Sequence, residues 1–175
     1  MTKKLLLGMS FAAVALFAAD DVVTAVEGTV KKVDAGTKTV VVKTADGTEH
    51  TVHVVSKTSV HGWDATKSGA KDGMHGVEEG SHVVVHYTVK GTEKTAQEMD
   101  RVGDGGLKVA EGTVSTIDRG AKTLAVKTAD GAEATYRISS NAVVDTGKGV
   151  EKAGKVTVYY TEEGGKKVAH FFKNN

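Results

Sequence analysis

Apolar and polar residues alternate through most of this chain. GTVKKVD, KTVVVKT, EHTVHVVS, SHVVVHYTV and EKTAQEM each return to Val, Thr or Tyr at about every second position. That is the period of a strand with one face on a core. Turn residues punctuate the runs: Asp34 with Gly36, Asp46-Gly47, Gly91, and later Asp118 with Gly120, Asp130-Gly131 and Gly164-Gly165. The two Asp-Gly pairs are the residues that a tight type I′ hairpin asks for. No segment carries a long helical period, so the pattern predicts short antiparallel strands throughout.

The pattern occurs twice. EGTVKKVDAGTKTVVVKTADGTEHTV begins at Glu27 and EGTVSTIDRGAKTLAVKTADGAEATY at Glu111. Further on, HGVEEGSHVVVHYTVKGTEKTA matches KGVEKAGKVTVYYTEEGGKKVA. The offset shrinks between the two blocks by about 11 residues, so the first copy carries an insertion, which is the glycine-rich stretch HGWDATKSGAKDGMHG. A repeat of five or six short antiparallel strands must close on itself or expose edges that pair with other chains. A small OB-like barrel solves this; a pair of open antiparallel sandwiches is the alternative. The expectation is an all-β chain of two tandem small antiparallel OB-like β-barrels after an N-terminal signal peptide. The expected divisions are 1–19 leader, 20–103 first barrel with the inserted loop at about 62–73, 104–110 linker, and 111–175 second barrel.

The leader is read from Lys3 and Lys4, the apolar run LLLGMSFAAVALFAA, and the Ala18-Ala19 junction before Asp20. This is the layout of a secretory signal, too short for a convincing membrane span. It predicts an exported protein, periplasmic or extracellular, with no membrane span once cleaved. The 175 residues carry a net charge of +1, with no Cys and no Pro. Near-neutral charge gives no field to attract nucleic acid or anionic lipid. Lack of Cys excludes disulfides, thiol catalysis and thiolate metal sites.

The pattern GTVxxVDxxxxTVxVKTxDG, followed by a glycine turn and a Val-rich strand, resembles the small OB-like domains of unknown function in exported bacterial proteins. That resemblance covers both repeats and implies the barrel fold. Its shared residues are turn and strand residues, so it implies no catalytic group.

Candidate chemistry gathers in the first copy. Six of the seven histidines lie there: His50, His53, His61, His75, His82 and His86. The second copy has Ala134, Arg137, Asp145, Lys148, Lys155 and Tyr159 in their places, so the fold does not require them. His82 and His86 share the strand face that carries Lys155 in copy two, and both are expected to point outward with His53. They are roughly 13 Å apart at about 3.3 Å per residue, too far for one ion. His61 and His75 flank the insertion, with Asp64, Met74 and Trp63 between them. Imidazole with carboxylate suits zinc, nickel or Cu(II), and imidazole with thioether suits Cu(I) or Ag(I). The loop is similar in residue types to small exported OB-like metallochaperones for copper and silver, which use His, Met and a Trp face.

The expected site is therefore a transition metal (copper, nickel or zinc) held by His61 and His75 with Met74 or Asp64 assisting. His53, His82 and His86 form a second patch. GxSxG, HExxH and P-loop signatures are all absent from the sequence, so a non-enzymatic binding or scaffold protein is expected. Its partner is a second copy or another exported protein, with no nucleic acid. The rival reading is a cell-surface multimer assembled by strand pairing.

Overall fold

The computed structural model describes residues 23–63, 74, 76–144 and 149–175. The expected leader, and most of the expected inserted loop, lie outside them. Among the described residues no helix forms, and none is long and apolar enough to cross a membrane.

The first repeat contributes β1 (Thr24–Asp34), β2 (Thr39–Lys43), β3 (Glu49–His53), β4 (Ser59–His61), β5 (His82–Lys90) and β6 (Glu93–Arg101). The second contributes β7 (Lys108–Asp118), β8 (Thr123–Lys127), β9 (Glu133–Val144), β10 (Lys155–Glu163) and β11 (Lys166–Asn174). In the first, the order β3-β2-β1-β5-β6 closes through a parallel β3–β6 pairing at His53 and Thr95, and β4 continues along β6. In the second, β10-β11-β9-β8-β7 is a closed barrel. There a single long β9 pairs with β11 in two stretches, doing the work of β3 and β4 together. Two closed five-stranded OB-like barrels in tandem are what the alternating pattern predicts. Closure removes the exposed edges that open sheets would leave.

Each barrel has its own core. Val26, Val30, Val40, Val42, Val52, Val83, Val85 and Met99 fill the first. Val114, Leu124, Val126, Tyr136, Val158, Tyr160 and Phe172 fill the second, with Tyr136 and Tyr160 edge to face at 5.1 Å. Gly28 and Gly112 occupy the same repeat position for the same reason. A Cβ there would lie 2.4 Å from the carbonyl oxygen of Lys43 or Lys127, so the crossing strand admits no side chain.

Two local expectations change. The Asp-Gly pairs do not form two-residue type I′ turns, because Asp46 is not at positive φ while Gly47 is (89°). Gly47 N–H instead donates to Thr44 O, and the Asp46 carboxylate accepts from Thr48 N–H, a wider loop ending in a left-handed glycine. The ordered strand β7 starts at Lys108, inside the segment expected as linker.

A third apolar cluster belongs to neither barrel. Ala25 and Val84 of the first, Leu107 of the link, and Tyr159 and Phe171 of the second pack together, with Val102 and Val143 against them. This is the seam between the barrels. Lys173 crosses it to pair with Glu27 at 2.9 Å.

Candidate metal centre

At the seam the first repeat carries ionisable residues where the second carries aromatic ones. In β6, Ala96 and Met99 face the barrel core, while Glu98 and Asp100, two residues apart, share the opposite face. Each carboxylate stands beside a histidine on a neighbouring strand. His61 of β4 pairs with Asp100, and His86 of β5 pairs with Glu98. The β4-β6-β5 surface thus carries two His–carboxylate pairs side by side.

His61 Nδ1 lies 2.8 Å from Asp100 Oδ1 and 3.7 Å from Glu98 Oε1. His86 Nδ1 is 3.8 Å from Glu98 Oε2. From the second barrel, His170 Nδ1 comes within 3.5 Å of Glu98 Oε1. One ligand atom each from His61, Glu98 and Asp100 can be chosen with all three within 4.8 Å of one another. The His61 side chain is 57% exposed and forms the mouth; Asp100, at 2%, is the floor.

Burial sets the electrostatics. Among the described residues, every ion pair of Glu98 and Asp100 is with a histidine. Burial first, then the neighbouring Glu98 charge, push the Asp100 carboxyl up to about 6. The His170 contact holds Glu98 below the usual carboxylate range against its own burial. Burial opposes charge on His170, but Glu98 and Asp100 outweigh it and raise its pKa. Burial lowers that of His86 despite the pull of Glu98. Both ring nitrogens of His86 and Oδ2 of Asp100 are buried without a hydrogen-bond partner. The His170 backbone approaches the His86 ring, but outside hydrogen-bond geometry. Orphaned buried polar atoms are costly, and three in one cluster mark a place where a cation would satisfy several groups at once.

The expected site residues fall into separate places. His61 is in this cluster. Met74 is buried in the core of the first barrel, with Trp63 packed on the same cluster and Trp63 Nε1–H donating to Ser81 Oγ at 3.3 Å. Asp64 and His75 lie outside the described residues. His53 sits half-buried where β3 closes on β6, away from β5, so it is not beside His82 or His86. His82 pairs with Glu27 on the other flank of the seam.

His86 corrects the expectation of an outward patch: it is 1% exposed. The face of β5 turned away from its own barrel is covered by the second barrel, which also buries Val84. Glu98, Asp100 and His170 were not anticipated. The available signal was Phe171, an apolar residue at the repeat position of Glu98, which marks that strand face as covered.

No family model matches the sequence, and no curated relative matches it. Among solved structures, Ag(I)CusF is 16% identical over 39% of this chain and 97% of its own, with a TM-score of 0.35. Apo-CusF residues 6–88 from Escherichia coli is 15% identical over 50% of this chain and 95% of its own, at 0.36. Drosophila Unr CSD456 is 13% identical and covers 89% of this chain, which spans 62% of it, at 0.37. These likenesses are too remote to bear on what this chain binds.

Proposed function

We propose that this is an exported, non-enzymatic protein that takes up a divalent transition metal at the seam between its barrels. The observation that supports it is the convergence of His61, Glu98 and Asp100 beside the buried His86, whose ring stands 3.8 Å from Glu98 and makes no hydrogen bond. Hydrogen-bonded donors sit at about 2.8–3.0 Å, whereas two donors on one tetrahedral zinc at 2.0–2.1 Å are separated by about 3.3 Å. The 3.5, 3.7 and 3.8 Å spacings around Glu98 lie a little above the edge of such a tetrahedron, while the 2.8 Å between His61 Nδ1 and Asp100 Oδ1 is a hydrogen bond that an ion would replace.

Imidazole with carboxylate favours Zn(II), Ni(II) and Cu(II), with Cu(II) the tightest by the Irving–Williams order. The thioether that a softer ion prefers is Met74, which lies within the first barrel's core. Export rests on the leader-like residues 1–19, and the non-enzymatic reading on the lack of a GxSxG, HExxH or P-loop signature.

The test is calorimetric titration of the mature chain with Zn(II), Ni(II) and Cu(II), beside His61→Ala and His75→Ala. One ion per chain at sub-micromolar affinity, weakened at least tenfold in His61→Ala, is expected. Weak uptake at several sites that His61→Ala leaves unchanged would overturn the reading. Loss in His75→Ala equal to that in His61→Ala would return the site to the inserted loop.

A further inference from the structure

Resting on the metal reading above, we infer that the ion is shared between the barrels: His170 supplies a ligand from the second barrel, so that metal uptake clasps the two together. His170 is the extra residue of a β-bulge. On β10, Tyr159 pairs with Phe171 and Tyr160 with Ala169, which leaves His170 unpaired between them. A bulge re-aims its side chain, and here it aims an imidazole across the seam.

The first barrel shows what this position does without a metal role. Its β6 has the same bulge, between the His86–Glu98 and Tyr87–Ala96 pairs, and the extra residue is Gln97. Gln97 Nε2–H donates to Thr88 Oγ1 at 3.2 Å. His170 Nε2 meets Thr161 Oγ1, the equivalent hydroxyl, at 2.9 Å. The shared bond is scaffold, and a glutamine suffices for it. What histidine adds is a second nitrogen, Nδ1, and that atom is the one 3.5 Å from Glu98 Oε1. An imidazole with one nitrogen fixed by a hydrogen bond and the other aimed at the site is the usual posture of a metal-bound histidine.

Glu98 Oε1 thereby faces a nitrogen from each barrel, His61 Nδ1 and His170 Nδ1. His61, Glu98 and Asp100 come from the first barrel alone, so they could hold an ion without joining anything. His170 Nδ1 meets Glu98 but stands outside the set whose ligand atoms all lie within 4.8 Å, so its ring must turn toward the ion; the enlarged set then spans the seam, whose apolar part is a small cluster of five buried residues. An ion that binds only the joined form suppresses the parted form by the factor 1 + [metal]/Kd, about a hundredfold at a hundred times Kd.

The experiment uses His170→Gln, which copies Gln97 and keeps the bond to Thr161 while deleting the Nδ1 ligand. Zinc affinity is measured by calorimetry, and amide hydrogen exchange is followed in the strands of each barrel with and without zinc. In the unaltered chain, zinc is expected to slow exchange in β10 and β11 about tenfold as well as in β6. In His170→Gln, affinity falls tenfold or more, and the zinc-dependent protection is confined to the first barrel. The imidazole nitrogen resonance of His170 should also shift when zinc is added.

Unchanged affinity and undiminished protection of β10 and β11 in His170→Gln would overturn the clasp. So would His61-dependent zinc binding that protects only the first barrel of the unaltered chain, a result that leaves the metal site itself standing. No zinc binding at all in the unaltered chain would remove the metal site and the clasp together.

Discussion

Glu98 in β6 and Phe171 in β11 hold the same position of the repeat, and both face the seam. Glu98 stands opposite His86, and Phe171 opposite Tyr159. One barrel presents an ionisable pair 3.8 Å apart at this position and the other an aromatic pair with centroids 5.4 Å apart. The fold accepts either. The polar pair in a covered position is therefore not a requirement of the barrel.

This leads to an exchange experiment. Replacing Glu98→Phe together with His86→Tyr installs the second barrel's pair in the first. Exchanging buried ionisable groups for packed apolar ones is often neutral or stabilising, by about 1–4 kcal/mol. The double variant should match or exceed the metal-free parent in urea stability and bind zinc at least tenfold more weakly. A loss of more than about 2 kcal/mol without metal would mean that the polar pair serves the fold.

Strand period, turn residues and the repeat made the barrels legible, because those features act within a few residues. The seam was not legible in the same way. A two-residue alternation assigns residues to two faces and says nothing about whether the outer face meets water. His86 is expected outward for that reason: Lys155, the repeat partner of His82 on the same face, argues for solvent, whereas Tyr159, the partner of His86 itself, argues for cover. His170 is the lone histidine of its repeat and sits in a bulge that breaks the alternation by which its direction would be read. Glu98 and Asp100 look in sequence like any charged strand residues, and only their burial beside His61, His86 and His170 gives them chemistry.

The placement of Met74 separates the seam from the inserted loop. Met74→Leu keeps volume and apolar character in the first core and should cost less than about 1.5 kcal/mol. Zinc and Cu(II) affinities should stay within about twofold of the parent. A tenfold loss of either would place the thioether in the metal's coordination and contradict the seam site.

Gly28 and Gly112 test whether the repeats fold by the same rules. In each, an added methyl would lie 2.4 Å from a backbone carbonyl oxygen that belongs to the next strand. The backbone must move to relieve this, so Gly28→Ala and Gly112→Ala should each destabilise by at least about 1–3 kcal/mol. Exchange protection should fall first in the barrel that carries the change. Equal loss in both barrels from either variant would show that they unfold as one unit, and no loss from either would mean that the strands do not cross this closely.

The other flank of the seam contributes to the acid sensitivity of the protein. The Glu27 carboxylate accepts a hydrogen bond from His82 and pairs with Lys173 of the second barrel. The His82 bond, opposed by burial and reinforced by Lys173, holds the Glu27 carboxyl down at about 2, against an ordinary 4.5. A depressed carboxylate contributes stability that is complete above its unfolded value and is lost as pH falls through its folded one. The window is therefore pH 4.5 down to about 2. At about 1.4 kcal/mol per unit the shift sets a ceiling of about 3 kcal/mol. The His82 and Lys173 side chains are 45% and 37% exposed, so water screens part of this and about 1–2 kcal/mol is expected. Asp34, Asp46 and Asp130 are depressed too, by hydrogen bonds in their turns, so the informative quantity is a difference between chains. Unfolding free energies of the metal-free parent and of Glu27→Gln, from urea titrations between pH 7 and pH 2, should differ by this amount at neutral pH and converge at the acid end. Curves that stay parallel to pH 2 would mean that Glu27 makes no net contribution across the seam.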